Sequence, residues 1–111
     1  MGVYCFKWKR GPWLKVGHYH RDNPWKRFAR RGWKSVVCPD VALHYSSTDD
    51  FELLYWSPRL TPRCEKKVHA RFPDRFGEWI GTDKEIDVVA ALVALDPGNL
   101  AETVAPPLEK A

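Results

Sequence analysis

The chain lacks any segment suited to crossing a membrane. No positively charged opening leads into an apolar run, and no apolar stretch approaches the roughly 20 residues of a bilayer span. The expectation is a cytoplasmic protein with no membrane partner. Paired cysteines are missing too. Cys5, Cys38 and Cys64 are odd in number and far apart, with no Cys-x-x-Cys to make a zinc knuckle, so they read as reduced core or near-core residues. No internal repeat exists, and no helix-turn-helix or zinc finger supplies a separate reader of bases. Acid is scarce in the first third. Residues 1–36 hold ten Lys or Arg against Asp22 alone, a net of +9, while the remainder has 8 bases and 13 acids, a net of −5.

The 111 residues suffice for one core and not for two. The organisation expected is a single domain over residues 1–96 and a loosely held tail over 97–111. The basic third is interleaved with Trp8, Trp13, Trp25 and Trp33. Lys and Arg neutralise backbone phosphates and indoles stack on unpaired bases, so nucleic acid is the leading partner. Packing in a small core is the competing use of each Trp taken singly.

Period and caps give a coarse layout. Residues 2–8 alternate Val3, Cys5 and Lys7 with Tyr4, Phe6 and Trp8, the period of a strand. Lys9-Arg10-Gly11-Pro12 is a basic turn, and residues 13–17 return as a second strand. Asn23 caps a helix that opens with Pro24, ends at Gly32, and turns Trp25, Phe28 and Ala29 inward. Residues 35–47 suggest extended structure interrupted by Pro39. Phe51 to Trp56 is near-continuously apolar, a strand in mid-sheet or under helices. Thr61 caps a second helix over 62–72, with Pro62 at its first position. Residues 77–80 form a short extended piece. Thr82 with Glu85 is a capping-box pattern opening an apolar helix to Leu95, fit for the core or for an intersubunit face.

The second helix carries Glu65 and His69 one turn apart, on the face of Val68 and Phe72. A carboxylate on a buried face calls for an arginine partner, a partly exposed margin, or a function.

Taken in order, these motifs resemble the GIY-YIG nuclease superfamily, in its compact phage and bacterial subgroup with Glu-x-x-x-His-x-x-Phe and Glu-Trp-Phe motifs. Gly2-Val3-Tyr4 stands for the first triplet, and Lys15-Val16-Gly17, ten residues on, for the second. Arg27, the segment Glu65 to Phe72, and Gly77-Glu78-Trp79-Ile80 follow. The likeness spans residues 2–80. It implies an α+β fold, a small three-stranded antiparallel sheet flanked by helices, to which the C-terminal apolar helix is added. It implies a metal-dependent endonuclease or nickase acting on DNA, duplex or branched, with RNA as the other candidate, in the cytoplasm of a bacterial or phage-infected cell.

By the same resemblance, Glu65 holds one magnesium or manganese ion, and a hard cation suits a single carboxylate completed by waters and substrate oxygens. Tyr4 assists the attacking water, which near neutral pH requires cations such as Lys15 and Arg27 to favour its phenolate. Arg27 stabilises charge on the phosphate. Lys15 replaces the usual tyrosine and can hold phosphate, although it cannot relay a proton as a phenol does. His18 aids proton transfer, with His20 as its rival, and His69 orients Glu65 or caps the core in preference to binding metal. Glu78 closes the helix against the sheet or pairs with Arg27. Lys9, Arg10, Lys26, Arg30 and Arg31 would bind the nucleic-acid backbone. Two other readings stand beside this one: a non-catalytic nucleic-acid-binding module on the same fold, and a phage-encoded protein-interaction module that associates with itself or a specificity partner through the 86–95 helix.

Overall fold

The structure, a computed structural model, describes residues 1–29 and 48–97. The expected extended segment over 35–47, together with Trp33, Arg30, Arg31, Cys38 and the tail beyond Pro97, lies outside the described residues. Strands β1 (Gly2–Trp8), β2 (Trp13–Tyr19), β3 (Phe51–Ser57) and β4 (Trp79–Gly81) form one antiparallel sheet in the order β3-β1-β2-β4. Helices α1 (Pro62–Ala70) and α2 (Glu85–Leu95) follow β3 and β4. The expected count of three strands is therefore one short. The extended piece after Gly77 is long enough to pair Trp79, Ile80 and Gly81 with Lys15, Leu14 and Trp13, and so becomes a fourth, edge strand.

Alternation decides the layers. Val3 and Cys5 on β1 and Leu14 and Val16 on β2 meet Val68 and Phe72 from the α1 segment and Val88, Ala91 and Leu92 of α2. Tyr4, Phe6 and Trp8, from the opposite face, join Tyr19, Trp25, Phe51, Trp56 and Trp79 in an aromatic layer. Burying a large apolar side chain is worth about 1.5–3 kcal/mol, so the two layers carry most of the favourable energy. A bulge opposite Cys5/Phe6 leaves Leu54 without a pairing partner on β1. The face of β3 thereby changes phase, with Leu53 and Phe51 against the aromatics and Leu54 and Tyr55 against the helices. β3 is covered on both faces, as its apolar run requires, but it lies at the sheet edge while β1 holds the middle.

Local expectations were met unevenly. Asn23 does cap, its side chain accepting the Trp25 N–H at 3.0 Å, but the helix it opens is a short 3-10 segment, Pro24–Ala29. Thr61 makes no side-chain cap to α1, whose start is set by Pro62. The Thr82/Glu85 capping box is not formed either. Thr82–Lys84 is a 3-10 turn, and Glu85 instead pairs with Lys7 across the molecule at 2.9 Å. The end of α2 is pinned by Asp96, whose buried carboxylate accepts bonds from Tyr55 Oη at 2.6 Å and from Arg59 Nε at 2.7 Å. Among the described residues no helix is long and apolar enough to cross a membrane.

Candidate functional site

Strand β2 divides the candidate residues between its two faces. Lys15 and Gly17 face the aromatic layer, and Val16 and His18 face the helices, because successive side chains of a strand point to opposite sides.

On the helical side α1 presents Glu65 and His69, both nearly buried. His18 Nδ1 donates to Glu65 Oε2. His69 Nε2 donates to the Val16 carbonyl at 2.9 Å, and its Nδ1 faces Glu65 Oε1 across 3.9 Å. His20, the rival of His18, is exposed and lies edge-on to the Tyr19 ring.

On the aromatic side Lys15 is fully buried. Its ammonium lies 3.0 Å from Glu78 Oε1 and 5.2 Å above the Trp79 ring. Burial lowers its proton affinity, and Glu78 opposes that shift by charge and by hydrogen bond. Glu78 thus holds Lys15, where sequence had offered it to Arg27. Tyr4 pairs with Gly17 in the ladder, and its hydroxyl and Glu78 Oε1 crowd the same spot above the Gly17 Cα, where any side chain would collide with both. Arg27, half-buried, acts on the Tyr4 hydroxyl through its charge.

The expected phenolate at Tyr4 is corrected by this environment. Its pKa is raised well above the ordinary value, first by burial and then by the negative charge of Glu78, and Arg27 does not outweigh them. The cation counted on from Lys15 is already engaged by Glu78. Tyr4 is a neutral phenol.

The two halves are close enough to feel one another, since the Glu65 charge acts on both Tyr4 and Lys15 through the intervening backbone of β2. Access separates them differently. Tyr4 and Lys15 have no exposed surface, whereas the side chains of His18 and Glu78 are 50% and 27% exposed. Lys9, Arg10 and Lys26 are exposed, with Arg10 held to Asp50 at 3.0 Å.

Among the described residues no group of three or more His, Cys, Asp or Glu is arranged to hold a metal ion. A hard cation would have Glu65 as its protein carboxylate and complete its shell with waters and phosphate oxygens, a donor set of the right type. No family model matches the chain, and neither a curated protein nor a solved structure matches it.

The residue that sequence reading undervalued is Glu78. Its signal was the register of β4, which places Trp79 beside Lys15, and three residues carry too little period to be read as a strand.

Proposed function

We propose that this chain is a metal-dependent endonuclease or nickase that hydrolyses DNA phosphodiester bonds. One observation supports it most: Glu65 is held between His18 and His69 on one face of β2, with Arg27, Tyr4, Lys15 and Glu78 grouped across the same strand. The order of motifs resembling GIY-YIG nucleases adds to this reading.

Glu65 would hold the magnesium or manganese ion, which when bound supplies positive charge to a phosphate oxygen. His18 is oriented by its Nδ1–H bond to Glu65, so Nε2 is the ring's remaining acceptor and takes the proton of the attacking water. Arg27 binds the phosphate and stabilises the charge that develops on it. Tyr4, un-ionised, assists as a neutral hydroxyl within the field of Arg27. Lys15 supports the phosphate site with a fixed positive charge from beneath. Lys9, Arg10 and Lys26 attract the nucleic-acid backbone.

The test is conversion of supercoiled plasmid to nicked circles in magnesium or manganese. Wild type is expected to nick, Glu65→Gln to lose at least about a hundredfold, a size typical of removing one preorganised electrostatic contact, and Tyr4→Phe to lose less. Nicking that persists unchanged in Glu65→Gln overturns the assignment.

The complete burial of Tyr4 and Lys15 favours a second reading, a non-catalytic nucleic-acid-binding module on this fold. Salt-sensitive affinity for DNA without nicking under any cation is its signature. The interaction-module reading draws on Ile86 of α2, which is 84% exposed, and sedimentation showing an obligate oligomer without DNA affinity would select it.

A further inference from the structure

The turn between α1 and β4 sets a second carboxylate beside the cations of the site. Gly77 takes φ 57°, a left-handed conformation that glycine adopts without strain, and Phe76 and Trp79 close the turn with paired backbone bonds of 2.8 Å. Between them the Glu78 carbonyl accepts the Val16 N–H at 2.9 Å, which docks the turn onto β2 just where β4 pairing ends. The Glu78 backbone is fixed, and its side chain points over Gly17 toward Lys15 and Tyr4. Gly17 has no side chain to obstruct it.

Resting on the nuclease reading, we infer that Glu78 is a positioning residue of this site: its carboxylate keeps the buried Lys15 ammonium charged and in place beneath the phosphate-binding Arg27. The physical reason is the cost of an isolated buried cation. An ammonium without a counter-charge in such a place sheds its proton in preference to staying charged. Lys15 has several neighbours. Tyr4 of β1 is neutral, Arg27 of the 3-10 segment repels it, Glu65 of α1 attracts it through β2, and the Trp79 ring of β4 lies under it. Glu78 is the strongest of its stabilising neighbours and is in direct contact with it. It also reaches solvent, so the pair is sealed on the lysine side and open on the carboxylate side.

The sign follows. Replacing Glu78 by Gln removes the support for the charged form, so Lys15 loses its proton at a lower pH than in wild type. Its charge is present below that pH and absent above it. The full-length protein is assayed by plasmid nicking from about pH 6 to about pH 9, beside wild type, Glu78→Gln and Glu78→Asp. Relative to wild type, Glu78→Gln is expected to nick progressively less well as pH rises, with a further loss of about tenfold across the range, one pK unit of coupling being a factor of ten. Glu78→Asp keeps the wild-type profile. A deficit in Glu78→Gln that is the same at every pH marks a merely structural role and overturns the inference. If Glu78→Gln does not fold, Lys15→Gln tests the pair from the other side, leaving a carboxylate that water can reach. It is expected to nick at least about tenfold more slowly at high pH, and wild-type nicking there overturns the inference. If wild type nicks under no cation, the nuclease reading fails, and the Lys15 side chain is titrated by NMR instead. An earlier loss of the ammonium in Glu78→Gln upholds the coupling, and identical titration in the two proteins overturns it.

Discussion

The two faces of the sheet solve different problems with the same strands. The helical face is aliphatic, built from Val3, Val16, Val68, Val88 and Leu92, and its polar members Glu65 and His69 stand at the margin, where His18 joins them from the solvent side. The aromatic face encloses Lys15 completely and compensates it with Glu78 and an indole ring. Rings with polar edges and a π face tolerate a neighbouring cation that branched aliphatic chains would not. A strand with charged groups on both sides therefore remains a core strand, because each side has its own means of keeping charge satisfied.

The largest test of that contrast is on the aliphatic side. Leu92→Ala is expected to lower the unfolding free energy by about 2–5 kcal/mol in denaturant titrations, the range for leucine truncation in a packed core. A loss below about 1 kcal/mol would mean that α2 is not part of the load of the fold. Next comes function. Glu65→Gln should slow nicking by about 10²–10³, or about 2.7–4 kcal/mol in the barrier, and DNA affinity measured by gel shift should fall far less. Behind it is the clamp at the end of α2: Asp96→Asn weakens two bonds from Arg59 and one from Tyr55, and thermal melts should report a loss of about 1.5–3 kcal/mol.

The smallest effect is in pH. Burial is the first cause of the raised pKa of Tyr4, and of Tyr55, whose carboxylate partner Asp96 pushes it the same way. Folded phenols then keep protons that unfolded ones release. Stability is whole below the free phenol value of about 10 and declines as pH rises past it. Tyr4→Phe should flatten part of the decline in denaturant titrations at alkaline pH, with Tyr55→Phe removing a further part. A decline equally steep in Tyr4→Phe would place the Tyr4 hydroxyl in a wetter environment than the aromatic layer provides.

What could be read from residues alone was what depends on near neighbours. The alternation of Val3, Tyr4, Cys5 and Phe6 assigned the layers correctly, and Asn23 and Pro62 marked true starts. Pairings set by distant segments escaped. The extra residue at Leu54 answers to the β1 register, Glu85 prefers Lys7 to a local capping bond, and β4 exists because β2 offers it an edge. At the candidate site, the proximity of His18 to Glu65 escaped as well, since 47 residues separate them. So did the burial of Tyr4, because desolvation depends on everything packed around a group, including rings from β1, β3, β4 and the 3-10 segment.

The short fourth strand has a consequence for how these molecules behave in company. Open strand edges invite foreign chains to add to the sheet. Here Trp13, Leu14 and Lys15 are paired by β4, the Val16 N–H is taken by the Glu78 carbonyl, and the Val16 carbonyl by the His69 imidazole. A segment adding to this edge of β2 would have to evict the groups that flank Lys15 and Val16. Closure of the β2 edge and the placement of Glu78 thus draw on one set of bonds, and a change that loosens the 76–79 turn should surface first as stickiness between copies.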